Sequence, residues 1–124
     1  MSFIKIEKKI KKFNKNITTS GDKSLSIRWA LLASQSPFKS KSYNLLTSED
    51  VLNTLKCLKK LGVKIKLTKK FCEIFGLGLN GFKYKKSLSL NAGNSGTLGR
   101  LIMGLLVHCK NSIILKGDKS LSKR

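Results

Sequence analysis

The chain has 124 residues, 40% of them hydrophobic, and a formal charge of +20 at pH 7. Length and apolar content suffice for one domain with an ordinary core and exclude a disordered chain. The longest apolar stretch, Leu98 to Val107, is short and carries Arg100, which excludes a membrane span, and Cys57, Cys72 and Cys109 lack the spacing of a metal knuckle, so they read as buried, reduced thiols of a cytoplasmic protein.

Phe3 to Glu7 alternates apolar and polar residues and predicts a strand, followed by a basic connection from Lys8 to Asn16. A helix is expected from Ser24 to about Ser36, stopped by Pro37, then a strand from Lys41 to Leu46. Thr47-Ser48-Glu49-Asp50 reads as a helix start with hydroxyl caps and acids in the first turn. Val51, Leu52, Leu55, Leu58 and Leu61 recur at helical spacing, and Gly62 suits the C′ position. Val63–Leu67 and Phe71–Phe75 predict a strand pair turned at Lys69-Lys70, followed by a loop marked by Gly76, Gly78 and Gly81. A short strand, Ser87 to Leu90, runs into the turn Asn91 to Thr97 and a helix from Leu98 to about Cys109; Ser112 to Leu115 is the last strand. The pattern is α/β, in units of strands and helices with no linker between them.

Of 26 basic residues, 23 are lysines scattered along the chain, which reads as a general bias with Lys on solvated faces. The three arginines are more informative, because a guanidinium offers a planar bidentate fork. Gly21-Asp22-Lys23-Ser24-Leu25-Ser26-Ile27-Arg28 returns as Gly117-Asp118-Lys119-Ser120-Leu121-Ser122-Lys123-Arg124, identical at seven of eight positions. Such a loop entering a helix brings free N–H groups, a lysine, a hydroxyl and an arginine toward an anion. Taken alone, the first copy fits a capped helix with a surface lysine equally well. It is not a Walker A loop, since Asp22 stands where that motif needs glycine; Asp22 and Asp118 read as turn formers or partners of nearby cations. Asn91 to Arg100 is more specific: three glycines precede an apolar helix that Asn94 or Ser95 would cap. His108, the only histidine, reads as structural or exposed.

These three segments, in this order, resemble the signatures of the 5-enolpyruvylshikimate-3-phosphate synthase family. The resemblance covers nearly the whole chain. It implies the enolpyruvyl transferase fold, two domains built from repeated βαβαββ units, of which residues 1–124 hold about one unit and the start of the next. Residues 1–20 would then belong to the other domain, and 21–124 to a truncated substrate-binding N-terminal domain. The implied reaction moves the carboxyvinyl group of phosphoenolpyruvate to the 5-hydroxyl of shikimate 3-phosphate, in chorismate and aromatic amino-acid biosynthesis, without metal or organic cofactor. Carried over residue by residue, Lys23, Ser24 and Arg28 would hold shikimate 3-phosphate. Lys23, Asn94, Gly96 and Arg124 would meet phosphoenolpyruvate, with Ser95, Thr97 and Arg100 supporting. Gly96 also resembles family members whose phosphoenolpyruvate pocket admits glyphosate. The family enzyme is several times longer and monomeric, and its proton-transferring acids would lie beyond Arg124. The expectation is a fragment, marginally folded and without turnover alone, with small-molecule partners and neither nucleic acid nor membrane.

Two other readings stand beside this one. The related enolpyruvyl transferase family that acts on UDP-N-acetylglucosamine shares the fold but lacks the Lys-Ser-x-x-x-Arg grip. A basic nucleic-acid-binding protein would gather its cations on one face and interleave aromatics; here the aromatic residues read as mostly core positions.

Overall fold

A computed structural model describes residues 3–5, 7, 12, 14 and 16–124. The predicted strand at Phe3–Glu7 falls partly outside these residues, at Ile6; Phe3, Ile4, Lys5 and Glu7 take no part in a sheet. From residue 23 the order is α1 (Lys23–Gln35), β1 (Lys39–Tyr43), α2 (Glu49–Lys60), β2 (Lys64–Leu67), β3 (Phe71–Phe75), β4 (Leu88–Asn91), α3 (Gly96–Leu106) and β5 (Ile113–Lys116), closed by a single 3-10 turn at Leu121–Lys123. This is the α/β succession that the sequence predicts.

Local chemistry fixes the element ends. Asp22 caps α1 by accepting the Leu25 N–H at 2.7 Å, and the last carbonyls of α1 are met by loop N–H groups, Leu77 to Ser34 O at 3.0 Å and Gly78 to Ser36 O at 3.2 Å. Glu49 and Asp50 lie in the first turn of α2, and Lys59 and Lys60 in its last, each sign suiting the helix dipole. Ser48 occupies the N-cap of α2, but its hydroxyl makes no cap bond, contrary to the expected hydroxyl capping. β1 ends at Tyr43 rather than Leu46 because Asn44, at φ 56°, turns the chain out of the sheet. Leu46 then gives its N–H to Ser26 Oγ at 3.1 Å instead of to a strand. α3 starts at Gly96 because Ser95 caps it, and it stops at Leu106, where the following Val107 and His108 face solvent and offer the core nothing.

Two sheets result. β3 is the centre of an antiparallel sheet in the order β1-β3-β2, and β4 and β5 pair in parallel across α3. α1 packs on α2, α3 and the inner face of β3, and α2 packs on β4 and β2. The core lies among them: Ile27, Ala30 and Leu31 of α1, Val51, Leu55 and Leu58 of α2, Cys72 and Ile74 of β3, Leu90 of β4, and Leu98 and Ile102 of α3. Each fully buried Leu or Ile contributes about 1.5–3 kcal/mol. Burial pushes the Cys57 and Cys72 thiols above the ordinary thiol range. Cys109 is only half-buried, contrary to expectation, because it follows the exposed end of α3. The aromatic residues divide: Trp29, Phe82 and Tyr84 pack against the core as expected, whereas Phe3, Phe38, Tyr43 and Phe75 are exposed.

Candidate functional site

The first octapeptide is welded into place before it reaches any ligand. A Cβ on Gly21 would lie 2.2 Å from Asn44 O, so only glycine lets the loop touch the end of β1. Asn44 Nδ2 donates to Thr19 O at 2.8 Å on the same side. Ser26 Oγ donates to Asp22 O at 2.6 Å and accepts from Leu46 N–H, so this hydroxyl is spent on structure. Ser24, one turn position earlier, is half-buried, and its hydroxyl has no side-chain hydrogen bond among the described residues. Lys23 is exposed and pairs with Asp50 of α2 at 3.0 Å.

The second glycine turn has a separate reason for each glycine. Gly93 sits at φ 58°, a left-handed conformation that other residues rarely adopt, and a Cβ there would lie 2.6 Å from Asn53 Nδ2. A Cβ on Gly96 would stand 3.3 Å from Arg124 Nη1, and one on Gly99 would stand 3.6 Å from Leu121 Cδ2. The turn is held by Gly93 N–H to Asn91 Oδ1 at 2.8 Å and by Asp118 N–H to Gly93 O at 2.8 Å. Ser95, buried, accepts the Leu98 N–H at 3.2 Å. The N–H groups of Gly96 and Thr97 are left without a hydrogen-bond partner among the described residues.

The second octapeptide repeats the first one's cap. Asp118 Oδ1 accepts the Leu121 N–H at 2.7 Å, and the turn swings Arg124 back over the start of α3. Arg124 Nη2 donates to Ser120 Oγ at 3.3 Å.

Together these parts enclose an open cleft of about 730 Å³. Arg28 of α1 contributes to its wall, as do Gly96, Thr97, Gly99, Arg100, Leu101 and Met103 of α3, Leu115 and Lys116 of β5, and Gly117, Leu121, Ser122 and Arg124 beyond it. All three arginines of the chain therefore line one cavity. With Lys116 they bring four positive side chains and no acidic side chain to its wall, beside the N-terminal end of α3. Such an arrangement focuses a positive potential and suits a small polyanion.

Of the residues singled out in the sequence, Arg28, Gly96, Thr97, Arg100 and Arg124 meet in this cleft. Lys23, Ser24, Asn94 and Ser95 do not line it: Lys23 is paired with Asp50, Asn94 is exposed beside the turn, and Ser95 is buried as the cap. Lys116 and Leu121 escaped sequence reading. The signal for Lys116 is the parallel register, which sets it opposite Asn91 at the mouth of the glycine turn.

Comparison with known proteins points to one family. The family model for EPSP synthase (3-phosphoshikimate 1-carboxyvinyltransferase) matches residues 7–124. A 3-phosphoshikimate 1-carboxyvinyltransferase of Desulforamulus reducens is 40% identical over 116 residues, covering 93% of this chain and 27% of that protein. One from Vesicomyosocius okutanii is 45% identical over 109 residues, covering 88% and 25%. The solved EPSP synthase from Acinetobacter baumannii superposes with a TM-score of 0.80 at 38% identity, over 87% of this chain and 24% of that one. The chain thus spans about a quarter of the length of the relatives it matches.

Proposed function

The chain belongs to the EPSP synthase family, and from that premise we propose that it takes part in transferring the carboxyvinyl group of phosphoenolpyruvate to the 5-hydroxyl of shikimate 3-phosphate. In that reaction the 5-oxygen adds to C2 of phosphoenolpyruvate and a proton adds to C3. Cleavage of the C2–O bond to phosphate, with loss of a C3 proton, restores the vinyl group and frees phosphate. The observation that carries the reading is the convergence of Arg28, Arg100 and Arg124, with Lys116, on one cleft lined by no acidic side chain at the start of α3. Two polyanions repel each other. Fixed cations and N–H dipoles offset that repulsion, and holding both reactants in line supplies roughly 7–11 kcal/mol of barrier reduction.

In this reading Arg28, with Lys23 and Ser24, holds shikimate 3-phosphate, and Lys23 exchanges Asp50 for the substrate's charge. Phosphoenolpyruvate meets Lys23, Asn94, Gly96 and Arg124, the unpartnered N–H groups at the start of α3 receiving one of its anionic groups. Ser95 and Thr97 shape that helix start, and Arg100 adds charge. No residue of the chain is assigned to proton transfer. Residues 1–20 belong with the other domain of the enzyme and 21–124 with the domain that binds substrate, in the cytoplasm.

Calorimetric titration of the 124-residue chain with each anion tests this. Arg28→Gln should weaken shikimate 3-phosphate binding, and Arg124→Gln phosphoenolpyruvate binding, each by about tenfold or more, the loss of a charge-assisted hydrogen bond. Unchanged affinities in both variants, or no binding of either anion at millimolar concentration, would overturn the reading.

A further inference from the structure

The sheet β1-β3-β2 turns one face away from the core, and its sequence alternation fills that face with two kinds of residue. The antiparallel register sets Lys39 and Lys64 on either side of Phe75, Lys41 and Lys66 on either side of Glu73, and Tyr43 beside Phe71. Cys72 and Ile74, between them on β3, point into the core. Four lysines, three aromatic rings and one carboxylate therefore share the outer face. Tyr43 is 68% exposed and Phe75 43%. Lys41 Nζ lies 4.2 Å from the Phe71 ring centre and 5.1 Å from that of Tyr43, while Lys66 lies 5.8 Å from Phe71 and Lys39 6.0 Å from Phe75. Glu73 takes Lys39 and Lys41 at 3.6 and 3.8 Å, leaving a net positive face.

β1 and β2 are edge strands, where lysines discourage strand pairing between molecules. That role explains the lysines and leaves the exposed rings between them unexplained. We propose that this face binds single-stranded nucleic acid, with bases stacked on Tyr43, Phe71 and Phe75 and phosphates paired with the flanking lysines. The ammonium groups of Lys39, Lys41 and Lys66 already rest over rings, so a stacking base displaces them by a short distance toward the phosphate. An acidic peptide satisfies the lysines without using the rings, and a duplex hides its base faces. The face shares no residue with the arginine cleft, so the two sites stand or fall separately. The proposal departs from the expectation of no nucleic-acid partner, which rested on scattered lysines and core aromatics.

Fluorescence anisotropy of a labelled oligothymidine of about twelve nucleotides, titrated with the 124-residue chain at several salt concentrations, tests it. Tyr43→Ser and Phe75→Ser should each weaken binding about tenfold, while Tyr43→Phe, which keeps the ring, should not. Lys41→Gln with Lys66→Gln should lower the slope of log affinity against log salt by about 1.4, two phosphate contacts' worth. Lys56→Gln with Lys59→Gln, which removes the same charge from α2, should leave that slope nearly unchanged. Equal losses from the two lysine pairs, ring variants that bind as well as the parent, or equal affinity for a duplex of the same length would each overturn the proposal.

Discussion

Residues 21–28 and 117–124 differ at one position in eight, and each carries at its second position an aspartate that accepts the N–H three residues on at 2.7 Å. From that shared start the first copy runs into a thirteen-residue helix, and the second makes one 3-10 turn. Leu25 points to solvent at 66% exposure, whereas Leu121 packs on Gly96, Gly99 and Gly117. Lys23 finds Asp50, and Lys119 has no ion pair among the described residues. The only substituted position is Ile27, fully buried, against Lys123, exposed. The octapeptide thus encodes a cap and a spacing of cations. What the cap leads into is set by whether position seven reaches a core.

Exchanging that position is the strongest way to break the comparison. Ile27→Lys buries an unpaired ammonium and should cost more than about 4 kcal/mol, enough to abolish cooperative unfolding in urea. Lys123→Ile should stay within about 0.5 kcal/mol. Comparable losses from both would show that the repeat, and not the core, governs the difference.

The glycines sharpen it next. Alanine at Gly21 meets backbone, Asn44 O at 2.2 Å and Leu46 N at 2.8 Å, and should cost about 2 kcal/mol. Alanine at Gly117 meets only the Leu121 side chain, at 2.7 Å and beyond, which can move aside. It should cost less than about 1 kcal/mol of stability and should loosen Arg124, read as weaker anion binding. Thermal melts that rank the two in the opposite order would refute this account.

The smallest effect concerns the caps. Asp22→Ala should cost about 1 kcal/mol of global stability, as for other N-caps. Asp118 caps only a single turn, so Asp118→Ala should leave the melting temperature nearly unchanged.

Most of the fold was legible because the local signals agreed: the α2 heptad-like spacing, the Thr68–Phe71 turn and the Ser95 start of α3 all lie within a few residues of what they decide. The end of β1 was not legible, since it depends on Asn44 reaching Thr19 and on Leu46 reaching Ser26, twenty or more positions away. The site divides the same way. Arginine rarity in a lysine-rich chain pointed to Arg28, Arg100 and Arg124, and the cleft joins them. Lys116 required the β4-β5 register, and the engagement of Lys23 by Asp50 required the packing of α1 on α2. The two hydroxyls of the first copy look alike in sequence; only the fold spends Ser26 on Asp22 and Leu46.

The seating of Leu121 on three glycines and of Arg124 on Gly96 also orders events in time. The hairpin β2-β3 closes across the three residues Thr68 to Lys70, so its share of the lysine-aromatic face forms early, and Lys39, Lys41 and Tyr43 join when β1 pairs with β3 across α2. The cleft wall forms only after Leu88 finds Ile113 and the chain beyond β5 folds back on the start of α3. Non-local closure of this kind is slow, because loop entropy is lost before contacts compensate it. Anion grip is therefore acquired late in folding and is lost when the parallel pair frays.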